Sequence, residues 1–234
     1  MKIELNELLE HSFVLTIDDT RFNTFKKVFH HHDLLPMPRK WKGHSEWWNS
    51  PVYNCCQSHK DIVEHARKRN WDFVCVFEDD AWPVNGVVGK LHTLLEDVPD
   101  NCQTLVLGHV CNWKNDGVAG EFIKGFLGYG THAYAVFKSG YDKFIRTLDK
   151  LKVADSPFWA FKDALMDRDC VLASKENLFI QYNPSNSMSN GNGFTWYTKF
   201  KYVDGIVVID FQNDNITEQE VRELGFPMPD EVFL

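Results

Sequence analysis

The stretch Phe73-Val74-Cys75-Val76-Phe77-Glu78-Asp79-Asp80-Ala81-Trp82-Pro83 joins five apolar residues directly to three carboxylates. An apolar run of this length, rich in β-branched and aromatic residues, is typical of a strand covered on both faces. The strand is expected to end at the acids, and Pro83 opposes its continuation. In open α/β sheets, ligands bind outside the carboxyl ends of the strands. The sequence therefore predicts a buried central strand that delivers three acids to a binding crevice.

Three adjacent carboxylates at the end of a buried strand need a neutralising partner, because like charges repel and burial disfavours the charged form. A divalent cation would supply one, and hard oxygen ligands favour Mg²⁺ or Mn²⁺. Asp80 is the first candidate for a direct metal ligand and Glu78 the second, since alternate residues of an extended segment share one face. Asp79 is then expected to face away from the metal, as an indirect contact. A solvated acidic turn is the alternative interpretation.

Length and composition predict a single soluble globular domain. The chain has 234 residues, of which 44% are hydrophobic and 25% charged. Its formal net charge of −8 disfavours nucleic acid and anionic membranes as partners. We expect neither a signal peptide nor a transmembrane segment, because no apolar stretch approaches the ~18 residues of a membrane span. The six cysteines form no C-x-x-C pair, and reduced thiols in a cytoplasmic protein are expected.

Helical and strand patterns alternate along the first two thirds of the chain. Strands are predicted at 12–17, 73–77, 104–108, 131–137 and 206–209, and a short one within 172–180. Helices are predicted after Asp18, at 58–69 with Ser58 as N-cap, at 87–95, from Ser139, and after a capping box at 217–220. This alternation predicts an α/β fold with a mostly parallel central sheet flanked by helices.

Two long segments are predicted to be irregular. Residues 33–54 carry Trp41, Trp47 and Trp48 among several prolines, which favours a binding loop or lid with aromatic faces for a ligand. A satellite core is an equal alternative for these aromatics. Residues 109–130 are loop-rich, and the glycines near their end suggest close backbone approach to a ligand.

Several motifs follow one another in a fixed order. They are Arg21 after the first strand, Ser58-His59, Glu78-Asp79-Asp80, Gly128-Tyr129-Gly130-Thr131-His132-Ala133-Tyr134, Val153-Ala154-Asp155, and Gln181 with Ser187. This succession resembles the family 25 glycosyltransferases, which include bacterial lipooligosaccharide galactosyltransferases and collagen galactosyltransferase domains. The resemblance covers about residues 13–189. The chain departs from it at Thr16-Ile17-Asp18-Asp19, where the family usually has Asn-Leu, and at Asn54, where a glycine is frequent.

The resemblance implies a GT-A fold and the inverting transfer of a sugar, a hexose from a UDP-sugar, to a hydroxyl of a glycan or other acceptor. It implies Mn²⁺ or Mg²⁺ as cofactor and a role in lipopolysaccharide biosynthesis, although a protein hydroxyl or a modified nucleobase stays open as acceptor. It places Gln181 and Ser187 at the far end of the cleft. The donor-binding positions it implies are Thr16, Arg21, Ser58, His59, Asp79, Gly130, Thr131 and His132.

An inverting transfer needs a carboxylate base, for which Asp155 is the first candidate and Asp163 the reserve. Three of these roles have plain structural alternatives. Arg21 is equally consistent with a solvated helix residue, His59 with a hydrogen-bonded core histidine, and Asp155 with a helix N-cap.

Two other functions compete with a glycosyltransferase. A metal-dependent phosphohydrolase or nuclease would use the same acids, but two-metal sites need further converging carboxylates. Acids are available at 155, 163, 167 and 169, and their spacing does not indicate a second metal. A catalytically inactive module that binds sugar nucleotides is the third possibility.

Overall fold

The computed structural model describes residues 2–49, 51–109, 111–114, 116–129, 131–151, 168–181, 199–203 and 206–210. Its helices are α1 (Leu5–Glu10), α2 (Asp19–His31), α3 (Pro51–Lys68), α4 (Val87–Glu96) and α5 (Tyr141–Leu151), with 3₁₀ turns at Lys138–Gly140 and Arg168–Cys170. Its strands are β1 (Ser12–Thr16), β2 (Arg39–Lys42), β3 (Phe73–Glu78), β4 (Ala81–Pro83), β5 (Thr104–Gly108), β6 (Cys111–Lys114), β7 (Val118–Ala119), β8 (Phe122–Lys124), β9 (Leu127–Tyr129), β10 (Ala133–Phe137), β11 (Val171–Ser174), β12 (Phe179–Gln181), β13 (Lys199–Val203) and β14 (Ile206–Asp210).

Eight strands form the central sheet, in the order β2-β1-β3-β10-β5-β11-β8-β7. The pairs β1–β2, β1–β3 and β5–β11 are parallel, whereas β10 is antiparallel to both β3 and β5, and β8 to both β11 and β7. Six of the eight strands therefore run in one direction, and only β10 and β8 run against them. The predicted α/β architecture with a mostly parallel sheet is confirmed.

Helices cover both faces of this sheet. Along β3, Phe73, Cys75 and Phe77 belong to the core that packs on α1, α2 and α4, and the alternate residues Val74 and Val76 belong to the core that packs on α3 and α5. The continuous apolar run of β3 is thus explained by burial on both faces. Its carboxyl end is held between two helical layers, and the three acids follow there.

Helix α2 begins where its sequence predicts, after Asp18. The Asp18 side chain accepts hydrogen bonds from the backbone N–H groups of Thr20 (2.6 Å) and Arg21 (3.2 Å), as an N-cap residue does. His30 and His31 form its last turn. The cap fixes the position of Arg21 in the first turn, at the edge of the sheet where β1 ends.

The region predicted as irregular between 33 and 54 contains regular structure. Arg39–Lys42 forms the edge strand β2 with β1, and its charged, exposed side chains concealed it because edge strands lack the apolar pattern of central ones. Helix α3 begins at Pro51, a residue favoured at the first helical position. Ser58 therefore is not an N-cap but lies inside the helix, where its Oγ donates to the Asn54 carbonyl (2.7 Å).

Short pairings also replace other predicted breaks. Strand β3 ends at the acids as predicted, but Ala81–Pro83 forms a further strand, β4, which pairs with β12 and ends at Pro83. The loop-rich segment 109–130 contains strands β6 to β9, and the segment 172–180 holds parts of two strands, β11 and β12. Strand β14 confirms the strand predicted at 206–209, and the predicted helix after 217 lies outside the described residues.

No helix in the described ranges has the length and apolar character needed to cross a membrane. Among the described residues, Cys55, Cys56, Cys75, Cys102 and Cys170 are not joined in disulfide bonds.

Candidate functional site

The acids lie where three strands of the sheet meet. Strand β3 ends at Glu78, and residues 79 and 80 form a turn before β4. The Glu78 N–H donates to the carbonyl of His132 (2.8 Å), and the Asp79 N–H donates to the carbonyl of Leu15 (3.2 Å). The carboxyl ends of β1 and β3 and the amino end of β10 are thereby fixed around the acids.

Asp79 and Asp80 share one guanidinium. Arg21 Nη2 contacts Asp79 Oδ1 directly and lies 3.2 Å from Asp80 Oδ2. Thr16 Oγ1 donates to Asp79 Oδ2 (2.5 Å), and Gln181 Nε2 donates to Asp80 Oδ2 (3.3 Å). The expectation that Asp79 faces away is wrong, because the strand ends at Glu78 and strand alternation does not apply to the turn. Arg21 is an ion-pair partner, not a solvated side chain.

Asp80 is the least compensated of the three acids. Burial, followed by the negative charge of Glu78, raises the pKa of Asp80 to about 8, despite the opposing charge of Arg21. Its Oδ1 atom is buried and accepts no hydrogen bond from the described residues. Burial also raises the pKa of Asp79, to about 6, against the charge of Arg21 and the hydrogen bond from Thr16. A further cation or donor at Asp80 Oδ1 would relieve this cost.

Glu78 belongs to a second group of side chains on the other side of the turn. Its Oε1 accepts from Thr131 Oγ1 and lies 3.2 Å from His59 Nε2. The opposite ring nitrogen of His59, Nδ1, lies 2.7 Å from Tyr134 Oη. Burial by itself would raise the pKa of Glu78, but the hydrogen bonds from His59 and Thr131 and the charge of His59 outweigh it and lower the pKa to about 2. Glu78 is therefore a carboxylate throughout the neutral range.

Cys55 completes this second group. One donor atom from each of Cys55, His59 and Glu78 lies within 4.8 Å of the other two. Within the described ranges, these three are the only set of cysteine, histidine or acidic side chains whose donor atoms come this close together. The arrangement offers one sulfur, one nitrogen and one oxygen atom to a cation.

Two other predicted site residues have structural contacts. Ser58 Oγ accepts from the backbone N–H of His44 (2.7 Å), so it ties the loop that follows β2 to α3. His132 is buried, and its Nε2 donates to the carbonyl of Phe179 (3.0 Å), which links β10 to β12. Its Nδ1 is also buried and has no hydrogen-bond partner among the residues that the structure describes.

Four predicted residues lie outside the described residues: Gly130, Asp155, Asp163 and Ser187. Gln181, predicted for the far end of the cleft, instead contacts Asp80, because β12 pairs with β4 immediately after the acids.

The tryptophan-rich segment divides in two. Trp41 packs edge-on against Phe13, with ring centroids 5.1 Å apart, and so extends the core. Trp47 and Trp48 are 89% and 68% exposed. Trp41 therefore belongs to a satellite core. The prediction of aromatic faces for a ligand applies only to the exposed Trp47 and Trp48.

Sequence reasoning missed Cys55 and Tyr134 as members of the site. The spacing of Cys55 and His59, four residues apart on a helix, was an available signal, because such residues share a face. Nothing local marks Tyr134, which lies 75 residues from its partner His59 and meets it only through the sheet.

Comparisons with known proteins bear on the fold. No protein-family model matches the chain, and no curated protein matches it. Among solved structures it is similar to a glycosyltransferase involved in the glycosylation of the major capsid of PBCV-1, with a TM-score of 0.51 and 9% identity over 76% of this chain and 94% of that chain. The fold is that of a GT-A glycosyltransferase. At this identity the likeness establishes the fold alone, and membership of family 25 stays a prediction.

A second solved structure is more distant. It is a mutant of Drosophila β1,4-galactosyltransferase 7 in complex with manganese, UDP-Gal and xylobiose. The TM-score is 0.40 at 10% identity, over 84% of this chain and 90% of that chain. This likeness is too weak to support an inference.

Proposed function

We propose that the protein is a metal-dependent glycosyltransferase that moves a hexose from a UDP-sugar to a hydroxyl of a glycan acceptor, with inversion. The observation that carries the proposal is Asp80, a buried acid at the carboxyl end of the central strand of a GT-A fold. Its Oδ1 has no partner among the described residues, and its pKa is raised to about 8. A cation bound with a nucleotide diphosphate would compensate it, because the cation attracts both.

The residues present fit a hard divalent cation. A buried carboxylate oxygen without a hydrogen-bond donor is the ligand that Mn²⁺ and Mg²⁺ prefer. We propose Asp80 as the direct ligand and Glu78 as the second candidate, whose Oε1 is already engaged by His59 and Thr131. When bound, the cation supplies charge neutralisation and Lewis acidity to the leaving diphosphate.

The chain itself supplies binding and orientation. The Arg21 side chain is 25% exposed while it pairs with Asp79 and Asp80, so its remaining N–H groups can reach a diphosphate oxygen. Thr16 and Gln181 each hold one carboxylate in a fixed rotamer, which keeps the acids in place before substrate binds.

We propose Asp155 as the base that deprotonates the acceptor hydroxyl, with Asp163 as the reserve, on the strength of the Val153-Ala154-Asp155 motif. The exposed Trp47 and Trp48 offer apolar ring faces to an acceptor sugar, such as one of a lipopolysaccharide made on the cytoplasmic side. Gly130, Thr131 and His132 are proposed to border the donor sugar.

A panel of nucleotide sugars, each with and without Mn²⁺, tests the proposal. Manganese-dependent hydrolysis or transfer of a single UDP-sugar is the expected result, and Asp80→Asn should abolish it. Cleavage of generic phosphoesters would instead identify a phosphohydrolase. Binding of a sugar nucleotide without turnover would identify an inactive binding module, and either outcome overturns the proposal.

A further inference from the structure

We infer that Cys55, His59 and Glu78 form a second cation site, one suited to Zn²⁺. The inference assigns Glu78 to this site and leaves Asp80 as the proposed manganese ligand, and it rests on the placement of the three side chains. Cys55 and His59 lie four residues apart on α3, which puts both on one face of the helix. Glu78 comes from the end of β3, and the three donor atoms lie within 4.8 Å of one another.

The surroundings of His59 match those of a metal-binding histidine. A ligating imidazole usually donates its other N–H to a fixed partner, which sets the tautomer and aims the free nitrogen. His59 is fully buried, and its Nδ1 lies 2.7 Å from Tyr134 Oη. When Nδ1–H donates to that oxygen, the Nε2 lone pair points toward Glu78, whose Oε1 is 3.2 Å away. Without a metal, the His59 Nε2–H group donates to Glu78 across this gap, and a bound cation would replace that proton.

The carboxylate is held in place as well. Thr131 Oγ1 donates to Glu78 Oε1, and the Glu78 backbone N–H is bound to the His132 carbonyl. Cys55 is half-buried, so its thiol lies close to solvent and can lose its proton when a metal binds. Helix, strand and β10 therefore each fix one part of the site before any ligand arrives.

The donor set selects the metal. One thiolate, one imidazole and one carboxylate suit Zn²⁺, and three protein ligands leave a fourth tetrahedral position open to water or substrate. Asp80 lies beside the Arg21 guanidinium, the Gln181 amide and the Asp79 carboxylate, so the atoms that can ligate a metal there are oxygens, which suit Mn²⁺ or Mg²⁺ instead. The carboxyl end of β3 thus carries two candidate metal sites, one with sulfur and nitrogen ligands and one with oxygen ligands only.

Titration of the chelator-treated protein with Co²⁺ tests the inference, because cobalt occupies zinc sites and reports its ligands by colour. We expect a near-ultraviolet sulfur-to-cobalt charge-transfer band together with the visible bands of a four-coordinate ion, all erased by added Zn²⁺. Cys55→Ser should lose the charge-transfer band. Cys170→Ser, which removes another half-buried thiol that is not in a disulfide, should keep it.

A variant beside His59 distinguishes a specific metal site from nonspecific binding of cobalt to a single thiol. Tyr134→Phe leaves every ligand in place and removes only the hydroxyl beside His59 Nδ1, so cobalt should bind about 10–100-fold more weakly. Cys55→Ser should retain the stabilisation by UDP and Mn²⁺, which keeps this test separate from the proposed function. Absence of the charge-transfer band in the unaltered protein, or its persistence in a folded Cys55→Ser variant, would overturn the inference.

Discussion

At the scale of single residues, Arg21 is the positive side chain that partly neutralises the acids. The sequence shows three carboxylates that need a positive partner, and the structure places a guanidinium between two of them. That pairing is only partial compensation, because the pKa of Asp80 is still raised to about 8 by burial and by the charge of Glu78. Arg21 therefore makes the folded site possible, and a bound cation would complete it.

Arg21→Gln should destabilise the fold. Removing the guanidinium leaves the buried Asp79 carboxylate without its ion pair and Asp80 without its neighbouring donor, and we expect a loss of about 1–3 kcal/mol in the free energy of unfolding at neutral pH. This is below the 3–5 kcal/mol of a fully buried pair because Arg21 is partly exposed. Lys40→Gln is the matched control, since the Lys40–Asp19 pair is exposed and should contribute at most about 1 kcal/mol. Equal losses in urea unfolding of the two variants would contradict the assignment.

Asp155→Asn tests the proposed base. The amide preserves shape but not basicity, so turnover should fall ~10²–10⁴-fold. Binding of UDP and Mn²⁺, measured by calorimetry, should persist. Near-normal turnover in this variant and a loss in Asp163→Asn would transfer the role to Asp163.

The sequence predicts the members of the acid site better than their pairing. Glu78, Asp79 and Asp80 follow a run that can only be a buried strand, so their placement at its carboxyl end is a local property. Which acid meets which partner is not local. The Asp80–Gln181 and His59–Tyr134 contacts span 101 and 75 residues, and they depend on the order of strands in the sheet.

At the scale of elements, His44 joins the loop after β2 to α3. Its Nε2 lies 2.7 Å from Asp61 on α3, and its Nδ1 lies 3.1 Å from Glu46 on the loop. The hydrogen bond with Asp61, which outweighs burial, and that with Glu46 raise the pKa of His44 above its ordinary value of 6.5. The protonated imidazole thus fastens the loop that carries Trp47 and Trp48.

Because the pKa of His44 is raised in the folded state, its contribution makes the protein more stable at lower pH. The contribution of His44 is fully present below pH 6.5 and is lost as the pH rises through the folded pKa. Titration of the His44 ring by NMR should give a pKa above 6.5, and Asp61→Asn should bring it down. His65 lies on α3, as Asp61 does. Burial lowers the pKa of His65, so this residue serves as the internal control. A His44 pKa below 6.5 in the unaltered protein would exclude this tether.

Gly108 shows how closely β5 and its neighbours approach. A Cβ atom there would lie 2.5 Å from the Phe179 carbonyl oxygen and would also collide with the His132 ring. Gly108→Ala should therefore cost about 1–3 kcal/mol in urea unfolding, because backbone must move. Gly89→Ala, on α4 with open space around it, should instead stabilise by about 0.5–1 kcal/mol. A neutral Gly108→Ala would mean that β12 can shift freely.

Central elements are predictable here and peripheral ones are not. Strands β3 and β5 and helix α4 follow their patterns because burial dictates them on both faces or along one stripe. Strand β2 is charged and exposed, and β4 and β12 have only three residues each, so their pairing comes from neighbours and leaves no periodic signal.

At the scale of the whole molecule, ligand binding should appear as stability. UDP with Mn²⁺ at about 100 times the dissociation constant should add about 2.7 kcal/mol, which corresponds to a rise of about 5–11 °C in Tm for a chain of this size. Neither ligand alone should give the full shift, because each carries charge that the site does not compensate. Thermal melting with each ligand and with both measures it.

Asp80→Asn is the critical variant for this measurement. It should melt near the unaltered protein without ligands, since Asp80 is largely protonated below pH 8, and it should lose the manganese-dependent part of the shift. Asp142→Asn, which changes an exposed acid paired with Arg67, should keep the full shift. A full shift in Asp80→Asn would remove the metal assignment.

The contact between Asp80 and Gln181 also has a consequence for the order in which the site is completed on the ribosome. At roughly 5–20 residues per second, the 101 residues between them take about 5–20 s to translate. Arg21 and Thr16 have left the ribosome well before the acids, whereas Gln181 follows long after them. The acids can therefore pair with Arg21 before Gln181 has been synthesised.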